Sequence, residues 1–329
     1  MCRNILFTVL TLLSFTVFSQ QNGSLFQVTD NLYFISGLGG NVSFLTTDSG
    51  VLVVDAGTIK KDGEIISQHV KSITDKPIKY LIYTHFHFDH TLGASGIADN
   101  PTIIGHINTL KNFKERGYDL FNSMYIGNLE NSVRNLKIQM DSLKKINSIK
   151  LQEVESQYNL MSKQLSDAKE TTIVLPDITF MDELNIILDS DTIRLIYPQS
   201  THTDCNILVE FSNQNALATG DFFSHQVMPY IDFSANCDTE NWIKQTKIFA
   251  DKNYAFVIPG HGNLASSKDL IEQGNYLSDL RAKVKSLIDI NKSLSEIQNS
   301  IKMDEYSSYD YKVMLPLEIE AIYNEFTNR

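Results

Sequence analysis

The chain has 329 residues, with 28 Lys and Arg against 39 Asp and Glu, and a net charge of −11. That acidic balance argues against nucleic acid, which selects a basic footprint, and no Gly-rich phosphate loop or repeat array is visible. Arg3 followed by the apolar run Ile5 to Phe18 reads as a secretory signal over residues 1–19, with cleavage before Gln20. The run is shorter than the roughly 20 residues a membrane-spanning helix needs. Export to the periplasm or beyond, with no membrane association after cleavage, is therefore the expectation. Residues 20–329 suffice for one large αβ core. They hold two cysteines, Cys205 and Cys237, a weak signal for a disulfide.

In chain order, strands are expected over Asn31 to Ile35, Val42 to Thr46 and Val51 to Val54, separated by Gly37-Leu38-Gly39-Gly40 and Asp48-Ser49-Gly50. Val51-Leu52-Val53-Val54 ends on Asp55, which on local grounds reads equally as a turn-capping acid or a site carboxylate. A helix follows, with Ile65, Ile66, Val70 and Ile73 on one side and His69 as an ordinary face residue. Next come a strand from Ile78 to Thr84, a short helix near Leu92 to Ala98, and a strand over Thr102 to Ile104 closed by His106. Alternating strand and helix favours an αβ layer fold.

Residues 111–171 break that rhythm. No Gly or Pro occurs from Asn128 to Leu175, and Leu129, Val133, Leu136, Met140 and Leu143 step by four and three. Leu151, Val154, Tyr158, Met161 and Leu165 repeat the stepping, with the phase broken at Ile146-Asn147-Ser148-Ile149. Two antiparallel helices are favoured over one long rod, and their stripe leaves a lid or a homodimer contact open. Phe113, Tyr118, Phe121, Met124 and Tyr125, just ahead, are candidates for a pocket wall. The second half resumes with strands over Ile173 to Phe180, Asn185 to Leu188, Thr192 to Tyr197, Asn206 to Phe211 and Ala216 to Thr219. A helix over Trp242 to Phe249, a strand over Ala255 to Ile258, and helices from Lys268 towards Ile290 and from Leu315 to Phe326 complete it. The resulting division is a core of residues 20–110 and 172–290, the 111–171 insertion, and a helical extension over 291–329.

The chemistry is concentrated in His85-Phe86-His87-Phe88-Asp89-His90, directly after the apolar run Tyr80-Leu81-Ile82-Tyr83. Three imidazoles and a carboxylate pressed together need partners, and the usual one is a divalent cation. His85 and His87 share a face of an extended segment, with Phe86 and Phe88 opposite, and Asp89 and His90 reach an adjacent position. Two neighbouring metal ions are the natural reading. Three later strands end on a good ligand: His202 in Ser200-Thr201-His202-Thr203-Asp204, Asp221 after Thr219-Gly220, and His261 in Pro259-Gly260-His261-Gly262. Such loops, held by a rigid scaffold, are where ligands tend to sit.

HxHxDH followed by a lone His, a Gly-Asp and a Gly-His resembles the metallo-β-lactamase-fold hydrolases, over about Leu25 to Leu280 apart from the insertion. The resemblance implies a four-layer αβ/βα sandwich (fold class α/β) with the helical insertion added to it. It implies His85, His87 and His202 on a first zinc, Asp89, His90 and His261 on a second, and Asp221 between them, with iron or manganese as other occupants. It further implies a hydroxide held between the ions, Asp89 as the group that orients it or takes its proton, and Asp55 in support without touching metal. Cys205 is then surplus to the ligand set, His106 is at most a supporting residue, His225 is a solvated loop residue, and Tyr230 and Asp232 are structural. The expected function is an exported dinuclear zinc hydrolase of a small-molecule ester, thioester, lactone or lactam. A β-lactamase proper and a non-catalytic metal- or partner-binding protein of the same fold are the alternatives.

Overall fold

In the computed structural model, which describes residues 23–146, 149–310 and 312–328, two β-sheets face each other between layers of helix. The expected signal peptide lies outside the described residues. The first sheet holds seven strands whose spatial order follows the chain: β1 (Ser24–Gln27), β2 (Leu32–Leu38), β3 (Gly40–Thr46), β4 (Val51–Val54), β5 (Ile78–Ile82), β6 (Thr102–His106) and β7 (Ile178–Phe180). The second comprises β8 (Glu183–Leu188), β9 (Asp191–Ile196), β10 (Leu208–Phe211), β11 (Ala216–Ala218) and β13 (Phe256–Ile258), in the order β13-β11-β10-β9-β8. Two short strands, β12 (Ser224–His225) and β14 (His261–Gly262), pair parallel beside them.

Side-chain alternation explains why both faces of each sheet are covered. Along β4, Val51 and Val53 join an outer cluster with Ile66 and Val70 of helix α1 (Lys60–Ile73), while Leu52 and Val54 point inward. The inward set meets Val209, Phe211, Ala216, Ala218 and Ile258 of the second sheet in one shared core. On that sheet's outer face, Leu208, Leu217 and Val257 pack against Trp242 of α6 (Thr239–Ala250) and Leu277 and Leu280 of α7 (Ser267–Asp289). An apolar side every second residue on both faces is the pattern of strands buried between helix layers. The fold is an α/β four-layer sandwich.

Residues Gly127–Lys145 (α4) and Leu151–Lys169 (α5) form a hairpin with its own core of Leu129, Leu136, Met140, Val154, Met161 and Ala168. Ion pairs Lys169–Glu130 (2.7 Å) and Lys144–Glu155 (3.2 Å) cross between its helices. Ahead of it, α3 (Ile107–Asn112) runs into two π-helical stretches, Phe113–Gly117 and Leu120–Ile126. A short helix α8 (Leu294–Ser300) and the helix α9 (Leu315–Thr327) close the chain, and Ile319 and Ile322 of α9 lie in the same core as Trp242.

Three expectations need correction. The strand expected over Ile173 to Phe180 forms only from Ile178, because Pro176 has no N–H to give a ladder. Strand β5 stops at Ile82, so His85 to His87 occupy a bend and not a strand end. Phe113 is not a pocket wall: it is fully buried, edge-on to Tyr83 and Phe86 at 6.0 and 6.4 Å between ring centres.

Strand direction positions the site. β4, β5 and β6 run parallel, as do β11 and β13, so their C-terminal ends collect at one rim. The chain emerging from β4 carries Asp55, from β5 the His85–His90 run, from β9 His202, from β11 Asp221 and from β13 His261.

Candidate metal centre

All seven side chains singled out in the sequence meet at that rim. They fall into two groups, His85 with His87, His202 and Asp221, and Asp89 with His90 and His261, each with its ligand atoms within 4.8 Å of one another. Asp221 faces both. Its Oδ1 lies 3.1 Å from His90 Nε2 and 3.3 Å from His261 Nε2, and its Oδ2 lies 3.8 Å from His85 Nε2 and 3.7 Å from His202 Nε2. Asp89 Oδ2 is 3.1 Å from His261 Nε2.

Local structure produces this placement. His87 is the N-cap of α2 (Phe88–Thr91), so Asp89 and His90 stand in the first turn of a helix immediately after it. The rings of His85 and His87 still share a side, with centres 4.6 Å apart, although the segment is bent. Glycine is required where backbone passes the ligands. A Cβ on Gly40 would sit 2.4 Å from His90 Cε1, and one on Gly260 2.0 Å from Asp221 Oδ1.

The surroundings choose which nitrogen of each ring faces inward. Asp55 Oδ2 accepts from His90 Nδ1 at 2.8 Å and from the Thr84 hydroxyl at 2.8 Å, while Oδ1 accepts from the Thr84 N–H at 2.8 Å. Because that hydroxyl donates to Asp55, its oxygen is left to accept from His85 Nδ1 at 3.0 Å. The Tyr230 carbonyl accepts from His202 Nδ1 at 2.6 Å. Nε2 of His85, His90 and His202 is therefore the nitrogen directed into the site. His87 is reversed: its Nε2 donates to Asp232 Oδ2 at 3.0 Å, and its Nδ1 faces His202 Nε2 at 3.1 Å. Such outer partners fix the tautomer and raise the basicity of a ligating imidazole.

Electrostatics divides the groups. Burial, reinforced by His90 and His87, holds His85 well below the usual imidazole range, and burial with His87 nearby takes His202 down to about 4. Those rings are neutral. Burial opposes charge on His90 and His261 too, but Asp221, Asp89 and, for His90, Asp55 outweigh it, raising His90 well above its ordinary value and His261 to about 10. Burial would raise Asp89, yet His90 and His261 bring it to about 2, so it is a carboxylate at neutral pH. The Asp221 and Asp89 carboxylates thus draw protons onto His90 and His261, and divalent ions placed between the two groups would take over that compensation of buried charge. His85 Nε2, His90 Nε2 and Asp221 Oδ1 are also buried without a hydrogen-bond partner. Unpartnered polar atoms converging on one spot, with the inward nitrogen of each ring already set, fit a pair of divalent ions, whose binding would displace the protons from His90 and His261.

The family model described as the metallo-β-lactamase superfamily matches residues 35–261. The chain belongs to that superfamily. Solved structures with the superfamily's fold agree in shape: a metallo-β-lactamase from Pontibacter korlensis superposes with a TM-score of 0.56 at 14% identity, covering 78% of this chain and 99% of that one. The inverting sec-alkylsulfatase Pisa1 from Pseudomonas sp. gives 0.65 at 16% identity, covering 93% of this chain and 50% of that one. At such identities the likeness shows the fold alone. Among curated relatives, the linear primary-alkylsulfatase of a Pseudomonas strain is 22% identical over 235 residues, 68% of this chain and 42% of that protein. The alkyl/aryl-sulfatase BDS1 of Saccharomyces cerevisiae is 32% identical over 81 residues, 24% of this chain and 12% of that protein. The chain thus spans less than half the length of these relatives.

Several superfamily-site neighbours escaped the sequence reading. Asp232, expected to be structural, is the partner of His87. Thr84 and the Tyr230 carbonyl set two further tautomers, and Asn41 donates to the Pro259 and Gly262 carbonyls, each at 2.9 Å, holding the His261 loop. Only Thr84, adjacent to the motif, carried a positional hint. Other residues lie apart from the metal groups. His106 caps α3 and stacks on Tyr197 at 3.9 Å, His225 meets the Asn263 carbonyl at 3.0 Å, and His69 is half-buried on α1. The Cys205 thiol meets Thr203 and is pushed up to about 11 by burial; no disulfide joins it to Cys237.

Proposed function

We propose that this chain is an exported, dinuclear zinc hydrolase that cleaves a small ester, thioester, lactone or lactam. The observation that carries the reading is the carboxylate of Asp221 set between two histidine groups, with His85 Nε2 and His90 Nε2 aimed at it and buried without a hydrogen-bond partner. His85, His87, His202 and Asp221 would hold one ion, and Asp89, His90, His261 and Asp221 the other. Two such ions supply a water of lowered pKa and polarise the bond under attack.

The protein's own part follows from position. Asp89 is the most open of the carboxylates, with a third of its side chain exposed, and is ionised at neutral pH. Its oxygens can accept the proton of an attacking water and pass it to the leaving group. Asp221, almost closed off, stays ionised and fixes spacing. Tyr230, 42% exposed, leans over His87 and His202 with ring centres 5.7 and 6.1 Å away. Phe88, next to Asp89, meets Phe121 and Tyr125 at 6.1 and 6.3 Å. These aromatic rings offer apolar contact for the body of a small substrate and shed water from the rim.

A sulfate ester is the second reading, favoured by the likeness to alkylsulfatases. The test is a panel of a carboxylic ester, a thioester, a lactone, a chromogenic cephalosporin and an alkyl sulfate, run with zinc and with chelator. Turnover of any member that chelator abolishes and zinc restores supports the reading, and the member hydrolysed fastest assigns the class. Zinc bound with no turnover across the panel would instead favour a binding protein.

A further inference from the structure

Of the three histidines in the first metal group, His87 is the least held by packing. Its side chain is 16% exposed, whereas His85 and His202 are closed off entirely. Its ring also uses Nδ1 where the others use Nε2, so its orientation rests on whatever grips Nε2. That grip is Asp232 Oδ2 at 3.0 Å. The other oxygen of Asp232 accepts from the Ser234 hydroxyl at 2.5 Å and the Ala235 N–H at 3.1 Å. Ser234 is in turn clamped by Arg116, whose Nη1 donates to its carbonyl at 2.6 Å and to its hydroxyl oxygen at 3.0 Å. Arg116 lies in the first π-helical stretch, within the insertion. Its guanidinium also covers the ring of Phe86, 4.6 Å from the centre, between the ligands His85 and His87.

The contact is part of a series. Asn108, Asn112 and Arg116 are spaced four apart, and all reach across to the second half of the chain. Asn108 donates to the Asp204 carbonyl at 2.7 Å and Asn112 to Asp204 Oδ1 at 2.8 Å, two residues after the ligand His202. One face of α3 and of the π-helical stretch after it thus holds the loop of His202 and the turn that supports His87.

We propose that Arg116 is a positioning residue for the first metal group: through Ser234 it holds Asp232 against His87 Nε2, leaving Nδ1 as the ligand atom. Asp232 is the N-cap of the three-residue 3₁₀ turn Phe233–Ala235, and the two-point clamp braces the Ser234 end of that turn. The assignment gives the insertion a role at the metal and rests on the dinuclear reading above.

The experiment compares Arg116→Ala, Arg116→Lys and, as a control on the hairpin surface, Arg134→Ala, all in the full mature chain. Zinc affinity is titrated for each equivalent by chelator competition. The visible spectrum of the cobalt-loaded protein and the melting temperature of the apoprotein are recorded alongside. Arg116→Ala should weaken one equivalent by roughly 10- to 100-fold, the range for outer-shell supports, and alter the cobalt spectrum. The second equivalent and the apoprotein melt should stay near wild type, Arg116→Lys should recover most of the loss, and Arg134→Ala should match wild type. Unchanged affinity in Arg116→Ala overturns the assignment. So does equal weakening of both equivalents with a lower apoprotein melt that lysine fails to rescue, which makes Arg116 a fold anchor only. A wild-type chain that binds no zinc overturns this and the dinuclear reading together; bound zinc without turnover on the panel touches only the hydrolase reading.

Discussion

Asp55→Asn isolates the support of one ligand without disturbing its backbone. Asp55 has a positive φ of 64°, which asparagine tolerates as aspartate does and alanine does not. The carboxylate accepts three hydrogen bonds, from the Thr84 N–H, the Thr84 hydroxyl and His90 Nδ1. An amide in the same place keeps one acceptor oxygen and turns an NH2 towards the other two. If the oxygen stays with the Thr84 N–H, the NH2 confronts His90 Nδ1–H, and the ring must give up that bond or move its proton to Nε2. The first outcome leaves the ring without its orienting partner, and the second removes the Nε2 lone pair that an ion would need. A hydrogen bond to a charged group contributes about 1.5–3 kcal/mol, which corresponds to roughly a 10- to 100-fold loss of zinc affinity. Chelator competition should assign that loss to the Asp89–His90–His261 equivalent, with the other largely retained. Both equivalents binding as tightly as in wild type would refute the tautomer reasoning.

Gly40→Ala tests close packing against the same ring. The new Cβ would meet His90 Cε1 at 2.4 Å and Nε2 at 2.6 Å, so the ring must shift. Zinc affinity of the second group should fall about 10-fold or more while the fold is kept, and an unchanged titration would contradict the geometry. Far from the site, Glu318 on α9 is pushed up to about 8 by burial, against the opposing hydrogen bond from Tyr276. Its folded pKa lies above the ordinary 4.5, so its contribution to stability is complete below pH 4.5 and is lost as pH rises through 8. The upper limit of that loss is about 5 kcal/mol. Glu318→Gln should therefore gain on wild type in urea unfolding between pH 5 and pH 8.5; a constant difference across that range would count against a buried neutral acid.

The seven candidate ligands were legible because each ends or follows an apolar strand, and the strands that carry them, drawn from both sheets, lead to one rim. Asp55 was half legible: its position after β4 marked it, but a turn cap looks the same in sequence. Asp232 was not legible at all. It lies on an irregular turn far from His87 in the chain, and only the crossing of the two halves brings them to 3.0 Å. The same holds for Arg116, one cation in a segment whose periodicity is broken by π-helical turns. Phe113 misled because an aromatic residue near a site looks alike whether it lines a pocket or fills the core behind it. The strand end at Ile82 was misplaced because Tyr83 and Thr84 keep the apolar, β-branched character of a strand: the Tyr83 N–H still reaches the Ile104 carbonyl of β6, but the Thr84 N–H turns to the Asp55 side chain.

Anomalous scattering at the zinc edge, from crystals of the protein grown with zinc, addresses the proposed dinuclear centre most directly. Two peaks are expected, one on either side of the Asp221 carboxylate and roughly 3.5–4 Å apart, the first against His85, His87 and His202, the second against Asp89, His90 and His261. No peak at this rim, or one peak with the other histidines hydrogen-bonded to the carboxylates instead, would contradict it.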